Sequence, residues 1–358
     1  MNKVIEKLIR PEIRALSAYH VPPADGLIKL DAMENPYPMP EALRRDWLAA
    51  LQGAALNRYP EPSGEQVRVA LREAMAIPDS QSILLGNGSD ELIQILAMAV
   101  GEGGVIMAPE PSFVMYRMIA TLTGMTFAEL PLRPDDFSLD LPEALARIER
   151  HAPKLIFLAY PNNPTGNHWA RADIERILEA APGLVVLDEA YEPFADDSFL
   201  GDLDRYDNLL VMRTLSKFGL AGLRLGYLVG AGAWLNEFDK IRLPYNINTL
   251  TQISAAFALR RHEVFREQAG RIRADRAALF EALDNLPGLE VFPSAANFIL
   301  FRTPQGRAEA IHAALLEQGV LIKKLDGGHP LLRDCLRVTV GTPDENRRFL
   351  EALRGAMG

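Results

Sequence analysis

The chain has 358 residues, with 38 basic and 47 acidic side chains and a formal net charge of −9. That balance argues against a general phosphate-backbone binder, which needs a basic surface. A single cysteine, Cys335, excludes an internal disulfide and a multi-cysteine metal site, and the six histidines show no metal-ligand spacing.

No apolar run approaches the roughly 18 residues of a membrane span. The N-terminus alternates charged and apolar residues and lacks the apolar stretch of a secretion signal. The expectation is a cytoplasmic protein of two domains, with neither nucleic acid nor membrane as partner.

In chain order, residues 1–35 read as an N-terminal arm or part of a smaller domain. Ser63 and Gln66 in PSGEQVRVALREAM form a capping-box pattern that predicts a helix start. Between residues 80 and 230, short apolar runs alternate with amphipathic stretches. The predicted strands are 82–85, 104–107, 155–160, 184–188, 209–214 and 224–230, and the predicted helices include 90–100 and 171–181. Continuous apolar runs of that length fit strands buried on both faces of a mostly parallel sheet with crossover helices. Residues 250–284 contain no proline and are helical in pattern, which predicts one long helix joining two units. Strands and helices then mix through GLEVFPS, ANFILFR, GVLIKK and CLRVTVG. The fold class is α/β, with a large domain over 36–260 and a smaller α+β domain over 261–358.

Four local patterns carry chemistry. In RTLSKFGLAGLRLGY, Lys217 follows the end of a buried strand, where open α/β sheets bind ligands. Desolvation and nearby cations make such a lysine an amine nucleophile, although most loop lysines are merely solvated. In LVVLDEAYEPF, a strand delivers Asp188 at its end, either as a helix cap or as a carboxylate that keeps a ring nitrogen protonated. In LAYPNNPTGN, a strand runs into a proline- and asparagine-rich turn around Asn163, which could be a turn and nothing more. In LLGNGSDELIQ, Gly88, Ser89 and Asp90 stand at a helix start, where free amides and the helix dipole cradle a phosphate. Glu91 occupies the place of a third glycine, which argues against a dinucleotide fingerprint.

Taken together and in this order, the glycine cradle, N-P-T-G, D-E-A-Y and S-K…R-x-G resemble the pyridoxal-phosphate aminotransferases of fold type I. LDAMENPY, LNRYPEPSG, PYNINTLTQ and CLRVTVGT narrow the resemblance to its histidinol-phosphate aminotransferase branch. It spans nearly the whole chain. The resemblance implies pyridoxal 5'-phosphate as cofactor, held by Lys217 as a Schiff base, with the freed amine then acting as general base. Asp188 would pair with the pyridine nitrogen, Tyr191 and Asn163 would bond the ring's 3-oxygen, and Phe113 would stack on the ring. The phosphate would meet Gly88, Ser89, Asp90, Thr214, Ser216 and Arg224, with Tyr59 reaching it from a partner subunit in a homodimer.

Arg337 would bind the substrate's anionic group, with Tyr19, Asn35 and Asn163 on the substrate side. Lys323-Lys324 stand where relatives often carry a second arginine, and alternation alone does not say which of them faces inward. Lys217 and Arg224 are seven residues apart, where many relatives have eight. The implied reaction is transamination between histidinol phosphate and 2-oxoglutarate, giving imidazole-acetol phosphate and glutamate. An aromatic-amino-acid transaminase and a phospho-amino-acid decarboxylase share the same cofactor residues and stay open. A pyridoxal-binding regulator would need a DNA-binding segment, and an oxidoreductase the missing glycine.

Overall fold

The continuous apolar runs in the middle of the chain become strands covered on both faces. The structure is a computed structural model that describes residues 2–18, 21–101 and 103–358. β1 (Ile28–Leu30) lies near the N-terminus. Seven strands of a second sheet follow: β2 (Ser82–Gly86), β3 (Val105–Glu110), β4 (Thr126–Pro131), β5 (Leu155–Ala159), β6 (Leu184–Asp188), β7 (Leu209–Thr214) and β8 (Gly226–Gly230). β9 (Glu290–Val291), β10 (Phe298–Arg302), β11 (Val320–Lys324) and β12 (Cys335–Thr339) join β1 in the smaller sheet.

The large sheet has the order β2-β8-β7-β6-β5-β3-β4. All its pairings are parallel except those of β8, which runs antiparallel to both neighbours. Every residue of β5 through β8 is buried. Period-two alternation divides those residues between two cores. Val185, Leu187, Val211 and Val229 pack on one face, and Leu184, Val186, Leu210 and Leu228 on the other. The parallel strands β5, β6 and β7 end side by side at Ala159, Asp188 and Thr214. This carboxyl edge is where an open α/β sheet presents its ligand site.

The smaller sheet has the order β1-β11-β12-β10-β9. β1 pairs in parallel with β11, so a segment from the beginning of the chain completes a sheet built near its end. Its own core gathers Ile28, Leu30, Phe298, Phe301, Leu336 and Val338.

Three sequence expectations change. The edge strand β4 has no counterpart among the predicted strands, because its residues are mostly half-exposed and no continuous apolar run marks it. The capping box at Ser63 does not form. The helix Glu65–Ala74 starts after Gly64, and the Glu61 carboxylate accepts from the Ser63 amide and hydroxyl and from the Glu65 amide, at 2.7–2.9 Å. A carboxylate is the stronger acceptor and displaces the hydroxyl. A capping box does form at Thr342 and Glu345, at the start of the last helix.

The long helix is also two, Thr249–Leu259 and His262–Asp284. The first is wedged against the helices Glu41–Leu51 and Glu65–Ala74. The second packs on the final helix and on β9 and β10, so the chain must turn between them.

Candidate active site

At the carboxyl edge of the large sheet, a cavity of about 140 Å³ is lined by Ser89, Asp90, Phe113, Asn163, Asp188, Tyr191, Thr214, Ser216, Lys217 and Arg224, among others. It adjoins a wider cleft of about 480 Å³, with which it shares Met33, Phe113 and Asn163. Lys323, Lys324, His329 and Arg337 line that cleft. Ten of the residues singled out in the sequence therefore meet in one cavity, and three more stand on the adjoining wall.

The floor of one end is the turn from β2 into the helix Ser89–Val100. Gly88 has φ +85°, and a Cβ there would stand 2.5 Å from Arg224 Nη2. On the neighbouring strand, a Cβ on Gly226 would meet the Ser89 amide nitrogen at 2.6 Å and the Gly88 carbonyl carbon at 2.7 Å. Both glycines thus let backbone and guanidinium approach one another. Arg224 Nη1 donates to Ser216 Oγ at 3.2 Å, Nη2 lies 3.4 Å from Asp90 Oδ2, and Thr214 Oγ1 donates to Ser216 Oγ at 2.9 Å. A helix start, a guanidinium and two hydroxyls converge here. Such a cradle fits an anion of phosphate size.

Asp188 closes β6 and is buried. Its Oδ1 accepts from the Ala190 amide at 3.2 Å and its Oδ2 from the Tyr116 hydroxyl at 2.7 Å. Burial pushes its carboxyl up to about 6, and those two hydrogen bonds oppose the shift. Such a group suits a protonated ring nitrogen, whose charge would hold the carboxylate ionised.

Lys217 follows β7 and donates from Nζ to the Ala32 carbonyl oxygen at 3.1 Å. Burial first, then Arg337 and Arg224, lowers its ammonium to about 8. An amine of that pKa is neutral often enough to act as a nucleophile or base near neutral pH. Its Nζ lies 5.8 Å from the centre of the Tyr191 ring. Burial raises the Tyr191 phenol well above its ordinary range, while Arg337 pulls it down, so the hydroxyl keeps its proton.

Arg337 is buried on β12. Its Nη1 donates to Asn163 Oδ1, its Nη2 to the Asp31 carbonyl oxygen at 3.0 Å, and its guanidinium stands 5.0 Å over the Phe298 ring. The β-register distinguishes the two lysines, both of which line the cleft. Lys323 is the antiparallel partner of Arg337, and directly opposed residues share a face. Lys324 ion-pairs with Glu309, whereas the Lys323 ammonium makes no hydrogen bond or ion pair among the described residues.

Other predicted residues fall elsewhere. Asn35 does not line the cavity: its Oδ1 accepts from the Tyr37 amide at 2.9 Å and its Nδ2 donates to Gln268 Oε1 at 3.0 Å. Tyr59 is 80% exposed and stacks on Tyr245 at 4.5 Å. Tyr19 lies outside the described residues. Sequence reasoning missed Tyr116, which lies in the first turn of the helix Met115–Leu122 and whose ring meets Phe113 edge-on at 5.6 Å. It also missed the Ala32 carbonyl, for which side-chain patterns carry no signal.

The assembled donors suit a small aromatic aldehyde with a phosphate arm: an anion cradle, a buried carboxylate, an amine of lowered pKa and the Phe113 wall. Among the described residues no acidic or histidine cluster could hold a metal ion, and no helix is long and apolar enough to cross a membrane.

Comparison with known proteins agrees with this geometry. Residues 25–353 match the family described as aminotransferase class I and II. A Nitrosococcus oceani protein named histidinol-phosphate aminotransferase 2 is 55% identical over 98% of this chain and 97% of its own. The histidinol-phosphate aminotransferase of Chromobacterium violaceum is 53% identical over 99% of both. Among solved structures, the Sinorhizobium meliloti histidinol-phosphate aminotransferase in complex with pyridoxal-5'-phosphate superposes with a TM-score of 0.86, at 25% identity, over 98% of this chain and 97% of that one. A family match over nearly the whole chain and relatives above half identity place the conclusion beyond the fold alone: this chain belongs to the class I and II aminotransferases.

Proposed function

We propose that the chain is a pyridoxal-phosphate-dependent histidinol-phosphate aminotransferase, acting in the cytoplasm as a homodimer. It would exchange an amino group between histidinol phosphate and 2-oxoglutarate. The observation that carries the substrate reading is the pairing of Arg337 with Lys323 across β12 and β11, on the cleft beside the Lys217 cavity. Glutamate presents an α-carboxylate and histidinol phosphate a phosphate, and one site must accept both. A planar guanidinium grips either anion with two parallel hydrogen bonds. A neighbouring ammonium adds a point charge that the larger, more highly charged phosphate can use.

Pyridoxal phosphate, when bound, supplies the electron-withdrawing ring that makes a proton on the substrate's amine-bearing carbon acidic. The chain's residues then divide the remaining work. Gly88, Ser89 and Asp90, with Thr214, Ser216 and Arg224, hold the phosphate arm. Asp188 presents a carboxylate to the ring nitrogen, and Phe113 covers the ring. Lys217 Nζ, neutral above about 8 and partly so below, takes the proton and returns it. Asn163 has committed Oδ1 to Arg337, which leaves Nδ2 as its donor, and Tyr191 offers a hydroxyl that stays protonated. Both fit contacts to the ring oxygen. Tyr59 would serve the phosphate of the partner's site, in keeping with its exposure on its own chain.

The test is a transamination assay with 2-oxoglutarate as acceptor and histidinol phosphate, phenylalanine or aspartate as donor. Histidinol phosphate should have the highest kcat/KM. If phenylalanine is turned over as fast, an aromatic transaminase replaces this reading. Release of carbon dioxide from a phosphorylated amino acid, with no amino transfer, would replace it by a decarboxylase.

A further inference from the structure

The hydroxyl of Tyr116 is aimed at the one carboxylate on which the cofactor ring nitrogen would depend. Its oxygen lies 2.7 Å from Asp188 Oδ2, in a contact buried on both sides. The tyrosine sits on the helix Met115–Leu122 and is 1% exposed. Its ring stacks on Phe157 of β5, with centroids 4.9 Å apart and planes 8° from parallel. The ring also meets Phe113 edge-on, at 5.6 Å. Stacking fixes the ring, and the ring fixes the hydroxyl. Phe113 lines the same cavity as Asp188, so one tyrosine braces both a wall and the carboxylate.

The energetic setting gives that contact consequence. Burial, with Asp90 and Glu189 nearby, favours the neutral form of Asp188, and the hydrogen bonds from Tyr116 and Ala190 favour the anion. The Ala190 amide is the longer contact, at 3.2 Å, so the phenol is the stronger of the two anchors by distance. Burial together with the facing Asp188 charge holds the phenol well above its ordinary range, so it remains a donor. With both anchors in place, each carboxylate oxygen keeps a lone pair for a ligand in the cavity. Without the phenol, Oδ2 would lose its partner and the group could turn and protonate.

We propose that Tyr116 is a positioning residue for the cofactor's ring nitrogen, acting through Asp188 by orienting its carboxylate and keeping it ionised. The proposal rests on the reading of Asp188 as the partner of that nitrogen. A tyrosine serving only to fill the core would make a different prediction, and a cofactor analogue separates the two.

The experiment strips the purified enzyme of cofactor and measures Kd, by quenching of protein fluorescence, for pyridoxal phosphate and for its analogue with C–H in place of the ring nitrogen. Both compounds carry the same aldehyde and phosphate, so every other contact cancels in the ratio. Wild type should prefer pyridoxal phosphate. Tyr116→Phe keeps the ring stack and should weaken pyridoxal phosphate by about tenfold, the low end for a hydrogen bond to a charged group, while the analogue is nearly unaffected. Asp188→Asn should abolish the preference. Equal weakening of both compounds by Tyr116→Phe, or no change in either, overturns the positioning role. A preference that survives Asp188→Asn overturns instead the underlying assignment of Asp188, which is a distinguishable result.

Discussion

Burial and the two nearby arginines lower Lys217 from 10.5 to about 8, and this has a consequence for the stability of the cofactor-free chain. Between those values the unfolded chain binds the proton and the folded chain does not, so stability rises with pH across that window. Below about 8 the buried ammonium is a cost in full. A shift of this size corresponds to about 3 kcal/mol, reduced to about 2 kcal/mol because the side chain opens on a cavity and donates to Ala32. Lys217→Met should therefore raise the melting temperature at pH 7, with the gain shrinking from pH 8 and nearly gone above 10.5. A variant less stable than wild type at pH 7 would show that the hydrogen bond to Ala32 outweighs the buried charge.

The same scale separates the two lysines of β11. Lys323→Ala should slow the histidinol-phosphate half-reaction by about 10- to 150-fold while leaving the glutamate half nearly intact, the range for a hydrogen bond to a charged group. Lys324→Ala should do little to either, since its partner is Glu309. Single-turnover rates of each half-reaction decide this, and equal losses in both halves would remove Lys323 as a selector. Strand alternation could place Arg337 on a face but could not choose between adjacent lysines, because the choice depends on how β11 is registered against β12. Asn35 marks another limit. Its type and position resembled a substrate contact, and its amide also bonds the neighbouring Tyr37 and the distant Gln268, the second a pairing that leaves no local trace in the sequence.

At the scale of elements, the apolar runs that became β5 to β8 were legible because burial on both faces writes an uninterrupted signal. β4 was not, since an edge strand needs only partial cover. The glycine turn was visible as a helix start, but a further glycine on which its geometry depends lies on another strand. Gly226 belongs to β8 and passes under the Gly88–Ser89 backbone, so a side chain would push on main-chain atoms that have no room to yield. Gly226→Ala should cost about 1–3 kcal/mol of stability, the usual range for overpacking, and should weaken pyridoxal phosphate binding by displacing the cradle. Gly222→Ala is the matched control, because a Cβ there meets nothing within 4 Å. Denaturant unfolding and cofactor titration of both variants check the expectation, and equal behaviour of the two would mean that the turn moves freely.

For the whole molecule, the question is what covers Tyr59. It is 80% exposed, its stacking partner Tyr245 is 40% exposed, and Leu56 and Leu243 nearby in sequence are about 70% exposed. Clustered exposed apolar residues of this kind mark an interaction surface. A symmetric dimer would present the same patch twice, and each patch could then reach the other subunit's cavity. Under the homodimer proposed above, Tyr59→Phe removes one charge-assisted hydrogen bond to the phosphate, worth about 1.5–3 kcal/mol of cofactor affinity. The sharing of sites is testable by mixing. Lys217→Ala protomers lack the amine, and Tyr59→Phe protomers lack the phenol. In a heterodimer, the cavity with a native Lys217 faces a native Tyr59 from across the interface, while the other cavity lacks both. After dissociation and reassembly of an equal mixture, about a quarter of all sites should hold cofactor with wild-type affinity and turn over normally. If Tyr59 serves its own chain, every site in every dimer lacks one group or the other, and no native sites appear at any mixing ratio.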